Sequence, residues 1–76
     1  MKKVTVKISG MMCGMCEAHV ADAIRKSFDD AKHVKATRTK GEASFGYDGE
    51  FTDEMRAALV DLINKTGYEA GEVTVR

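Results

Sequence analysis

Val4-Thr5-Val6-Lys7-Ile8-Ser9-Gly10-Met11-Met12-Cys13-Gly14-Met15-Cys16 begins as one kind of structure and ends as another. Its first half alternates apolar and polar residues, the period of a half-buried strand with Val4, Val6 and Ile8 inward. Gly10 breaks the alternation, and Met11 to Gly14 reads as a loop. From Cys16 the spacing turns helical: Cys16, Val20, Ala23, Ile24 and Phe28 share one face. Asp29-Asp30 ends that pattern.

The rest of the chain repeats the vocabulary. Val34, Ala36 and Arg38 alternate with Lys35 and Thr37, which predicts a second strand. Lys40-Gly41 is a tight-turn signal, and Ala43, Phe45 and Tyr47 alternate in a third strand, so the two form a hairpin. Asp48-Gly49 closes it. Thr52 suits a helix N-cap, with Asp53 and Glu54 complementing the positive end. Phe51, Met55, Leu59, Leu62 and Ile63 make the buried stripe, and Gly67 is a C-terminal stop. Glu72 to Arg76, with Val73 and Val75 inward, reads as a fourth strand. The order βαββαβ is the ferredoxin-like split βαβ arrangement, an α+β fold. It predicts a four-stranded antiparallel sheet with two helices on one face, set by the right-handed crossover rule.

The 76 residues suffice for a single domain, residues 1–76. A chain of this size buries only about 60% of its unfolded surface and is marginal without regular packing, a metal or a disulfide. Lys plus Arg and Asp plus Glu balance at 12 each, which argues against nucleic acid and against a polybasic membrane anchor. No apolar run suggests membrane insertion. Met1-Lys2-Lys3-Val4 runs straight into the first strand without a signal-peptide block, so a cytoplasmic location is expected. The start at Met1 and end at Arg76 favour a free protein over an excised domain. In such a chain, two cysteines separated by two residues point to metal or redox chemistry.

Cys13 and Cys16 sit where a strand gives way to a helix. Unpaired N–H groups at a helix start favour negative charge, and thiols there ionise more readily. Thiolates are soft ligands and prefer soft ions such as Cu(I). A d¹⁰ ion accepts two ligands, which leaves it open to a further thiolate. Against this stands the plainer reading of a disulfide or a buried cysteine. Cys16 continues the apolar face and suits that reading; Cys13, flanked by Gly14 in the loop, does not.

Other residues near the motif are read more conservatively. His19 follows Cys16 by three residues and shares its helix side, but a turn of helix separates it from the loop. It is expected to be a partly exposed helix histidine, and His33 a structural or solvated one. Met12 and Met15 are expected to be exposed contacts for a partner. Tyr68 is expected to close the core at this end while donating a hydrogen bond near the metal loop. Glu17 is taken to complement the helix start.

The stretch Gly10-Met11-Met12-Cys13-Gly14-Met15-Cys16, with Val20 beyond it and Gly67-Tyr68-Glu69 before the last strand, resembles the heavy-metal-associated domain family. The resemblance covers essentially the whole chain, implies that Met11 takes the family's buried position in the core, and departs at Met12, where the family often has Thr or Ser. It implies copper chaperones, amino-terminal domains of copper-transporting P-type ATPases, and the periplasmic mercury-binding protein. It also implies Cu(I) held by Cys13 and Cys16, and delivery by thiolate exchange to a copper-transporting P-type ATPase or another protein with its own Cys-x-x-Cys. A metal-bridged dimer is compatible with a two-coordinate ion, and Hg(II) or Zn(II) are alternative cargoes. The chain is not expected to be an enzyme. Its rival classes are a thiol–disulfide oxidoreductase and a structural zinc site of Cys13, Cys16, His19 and His33, although the histidines are 14 residues apart.

Overall fold

The computed structural model describes residues Met1–Arg76. Its elements are β1 (Lys2–Ser9), α1 (Gly14–Ser27), β2 (Lys32–Thr37), β3 (Glu42–Tyr47), α2 (Asp53–Lys65) and β4 (Glu69–Val75). The strands form one antiparallel sheet in the order β2-β3-β1-β4. This is the ferredoxin-like βαββαβ fold expected from the sequence, with each βαβ crossing over a neighbouring strand.

The alternation in β1 does what its period requires. Val4, Val6 and Ile8 are buried, and Val4 and Val6 lie opposite Phe45 and Ala43 of β3. On the other face Thr5 stands opposite Ser44 and Thr74, all three half-buried. Val20 and Ile24 of α1 and Leu59 and Ile63 of α2 close over the apolar face in a single core. Burial of each such side chain is worth about 1.5–3 kcal/mol. Phe28, Phe45 and Phe51 pack together at centroid distances of 5.8–5.9 Å, in the end of the core where α1 finishes and α2 begins.

Local chemistry fixes the ends of the helices. The Thr52 hydroxyl accepts the Met55 N–H at 3.2 Å, the N-cap anticipated for α2. At its other end Tyr68 N–H donates to Ile63 O and Gly67 N–H to Asn64 O, a Schellman turn. Gly67 has φ +101°, which a side chain would resist.

Four expectations shift. Helix α1 starts at Gly14 rather than Cys16, and its buried alanine is Ala21, with Ala23 half-buried. Arg38 lies beyond the end of β2, exposed in the turn before β3. Strand β4 starts at Glu69, because Ser9 and Ile8 continue to pair with Glu69 and Ala70 past an irregularity between Val6 and Ile8. Finally, Val75, Leu62 and Met55 are half-buried at the margin of the core.

Candidate metal centre

Three segments meet beyond the C-terminal end of β1: the loop after Gly10, the first turn of α1, and the turn that carries Tyr68. Gly10 makes the meeting feasible. Its φ is +103°, and a Cβ there would touch the Tyr68 ring at 3.4 Å. Met11 then drops into the core at 7% exposure and anchors the loop, while Met12 and Met15 stand out at 85% and 69% exposure.

Cys13 is the N-cap of α1, in extended conformation. Its carbonyl accepts the N–H groups of Cys16 and Glu17 at 3.1 and 3.4 Å, while its side chain makes no capping bond. The sulfur is left for Cys16, whose Sγ lies 3.0 Å away. Both thiols are free; Cys13 is exposed and Cys16 half-buried against the core.

Electrostatics favour ionisation of one of the two. The Tyr68 hydroxyl, then the Cys13 thiol and the backbone at Met12, pull Cys16 from 9.0 down to about 6. Each polar neighbour favours the thiolate over the thiol. Reciprocally, Cys16 raises the Tyr68 hydroxyl, since a phenolate facing a thiolate is disfavoured. At neutral pH the pair therefore presents a nucleophilic, soft-ligand sulfur at the surface.

The remaining residues named from the sequence lie elsewhere. His19 is exposed and lines a groove with Asp22, Leu62 and Thr66, between the helices. His33 lies beside Met1 and Lys3 on β2, at the opposite end of the sheet. No cluster of three or more His, Cys, Asp and Glu side chains is assembled, so the four-ligand zinc arrangement is not built. Glu17 does more than complement a helix start: its Oε2 accepts the Arg38 backbone N–H at 2.7 Å. Sequence reading missed Arg38 here, because a contact across 21 residues leaves no local signal.

No family model matches the chain. It is 36% identical over 74 residues to a mercuric reductase of Lysinibacillus sphaericus, covering 96% of this chain and 12% of that enzyme. It is 36% identical over 67 residues to the mercuric reductase of Staphylococcus aureus, covering 88% of this chain and 11% of the enzyme. The chain thus spans about an eighth of the curated relatives it matches.

Among solved structures, the yeast copper transporter domain, studied in apo and Cu(I)-loaded states, superposes with TM-score 0.78 at 19% identity, over 97% of this chain and 96% of that one. A copper binding domain from a P-type ATPase gives 0.75 at 23% identity, over 97% and 95% of the two chains. The N-terminal domain of ZntA in its Zn(II) form gives 0.75 at 23% identity, over 92% and 89%. These superpositions show that the chain shares the fold of these metal-binding domains. No helix of the chain is long and apolar enough to cross a membrane.

Proposed function

We propose that this domain binds a soft metal ion, foremost Cu(I), between Cys13 and Cys16 and passes it to a partner by thiolate exchange. One observation carries the reading: two free sulfurs 3.0 Å apart at the surface, with Cys16 lowered to about 6. The ion is cargo. Two thiolates and no third protein ligand match a d¹⁰ ion content with two soft donors. A structural zinc site would want four.

In this reading the chain acts as one domain in the cytoplasm and is not itself an enzyme. Its partner is a copper-transporting P-type ATPase or another protein with its own Cys-x-x-Cys. The solved relatives that carry copper support this direction.

A second cargo is favoured by a specific observation, the 36% identity to mercuric reductases. Hg(II) is also soft and also accepts two thiolates. The deciding experiment is an anaerobic titration of the reduced protein with Cu(I) against a competing chelator, repeated with Hg(II) and Zn(II). The expected result is one Cu(I) per chain, held far more tightly than Zn(II). Equal or tighter Zn(II) binding overturns the copper assignment. Turnover of insulin disulfide by the metal-free protein would instead support an oxidoreductase.

A further inference from the structure

We infer that Glu17 is a positioning residue for the Cys13–Cys16 loop, a role that rests on the metal-binding reading above. Cys13 caps α1 with its backbone alone, so the usual side-chain bond that fixes a helix start is missing. Something else must hold the first turn while its sulfurs remain available. On one side lies Tyr68, packed against Gly10. On the other lies the turn between β2 and β3.

Glu17 is the tie to that turn. It directly follows Cys16, and its Oε2 accepts the Arg38 N–H at 2.7 Å, a charge-assisted bond between segments 21 residues apart. Its Oε1 is 4.0 Å from the Arg38 guanidinium. The same guanidinium stands 3.3 Å from where a Cβ on Gly14 would lie. Arg38 therefore contacts the first turn of α1 at two points, either side of Met15 and Cys16. The Arg38 N–H has no ladder partner, since β2 has already ended at Thr37. The carboxylate satisfies that donor and, in the same bond, fixes the register of the turn that carries Cys16.

The exposed ion pair contributes little on its own. The backbone N–H bond is the element that restrains the loop. Arg38 is exposed and Glu17 half-buried outside the core, so Glu17 can be replaced without opening it.

The test compares Glu17→Ala, Glu17→Gln and Arg38→Ala with the unaltered protein. Cu(I) dissociation into excess chelator is measured in all four, together with hydrogen exchange of the Cys16 and Glu17 amides in the metal-free state. Glu17→Ala is expected to speed metal loss about tenfold, the low end for removing an outer hydrogen-bond partner of a metal site. It is also expected to speed exchange at both amides. Glu17→Gln, whose amide oxygen still accepts from Arg38 N–H, should restore both, and Arg38→Ala should change both little. Glu17→Gln behaving like Glu17→Ala would overturn the role, because charge rather than positioning would then be responsible. Unchanged exchange and unchanged metal loss in Glu17→Ala would overturn it too. If the unaltered protein holds no Cu(I), the metal-binding reading has failed, and amide exchange alone still decides whether Glu17 holds the loop.

Discussion

The sulfurs of Cys13 and Cys16 lie 3.0 Å apart across the first turn of α1, one exposed and the other half-buried. A metal–thiolate bond is about 2.3 Å, so an ion held in line between them needs them about 4.6 Å apart. Binding of an ion between them, as proposed, would require the sulfurs to move apart, and exposed Cys13 is better placed to move than half-buried Cys16. The Cys13 side chain makes no capping bond to the backbone of the helix it begins. Cys13→Ser and Cys16→Ser are each expected to abolish tight Cu(I) binding in chelator competition. His19→Ala is expected to shift the affinity by less than about tenfold, or 1.4 kcal/mol, because His19 faces the groove between the helices.

The pH response follows from the Tyr68–Cys16 relationship. Cys16 ionises near 6 in the fold and near 9.0 without its neighbours. The folded chain thus gives up this proton more readily than the unfolded one. The stabilisation from this thiolate is complete above the unfolded value and is lost as the pH falls through about 6. Titration of thiolate absorbance should show a midpoint near 6, and Tyr68→Phe should move it upward. An unmoved midpoint would remove Tyr68 as the principal cause.

The core does not include the Cys13 and Cys16 sulfurs among its fully buried members: Phe45, Ile24, Leu59, Ile63, Val4, Val6 and Val20 are closed from solvent by the two helices and the sheet. The metal-free, reduced protein is therefore expected to fold. Phe45→Ala should cost about 3–5 kcal/mol, the range for losing a buried aromatic ring. In a domain this small that loss should leave it largely unfolded at room temperature. Circular dichroism with urea titration reads both expectations, and a random-coil spectrum for the unaltered metal-free protein would contradict the first.

His33 is the one residue other than glycine with a left-handed backbone, at φ +53°. It sits where the pairing of β2 with β3 shifts register between Lys32 and Lys35. A β-branched residue tolerates that conformation poorly, so His33→Val should cost about 1–2 kcal/mol. His33→Gly should leave stability unchanged or slightly raised, because glycine takes the conformation without strain. Urea midpoints at constant slope measure both changes.

Periodicity carried most of the fold. The alternation of Val4, Val6 and Ile8, the Thr52 cap and the Gly67 stop are local signals, and each stands in the structure where its physics requires. The signal failed where non-local pairing decides. Glu69-Ala70-Gly71 lacks clear alternation, yet it is strand because Ile8 and Ser9 offer it an edge. Gly14 is a poor helix former, so the first turn of α1 was hidden behind it. At the site, the Cys pair was legible as a spacing and Tyr68 as a turn residue near the loop. The bond from Arg38 to Glu17 was not, since only the completed sheet brings that turn to the helix.

Transfer gives the sharpest expectation, because coordination and surface both bear on it. Two thiolates leave a soft ion under-coordinated at a loop, so a third can add before one of the first two leaves. On the proposed reading the ion is expected to pass through a three-thiolate state and never be bare, the incoming sulfur forming its bond as Cys13 or Cys16 gives one up. Cys13 is suited to leave or lead, being exposed and without a capping bond. Met12 and Met15 flank it in the open, an adaptable apolar surface for an approaching loop. The chain has no net charge, so local charges and this surface must orient the encounter. In stopped-flow mixing with a Cys-x-x-Cys domain, the transfer rate should rise with partner concentration above the rate of spontaneous metal loss. A high-affinity chelator added at the same time should leave it unchanged. If the chelator intercepts the ion and transfer never exceeds spontaneous loss, the domain buffers its metal and does not deliver it. Replacing Met12 and Met15 together by serine should slow the encounter while leaving Cu(I) affinity intact, which separates docking from ligation.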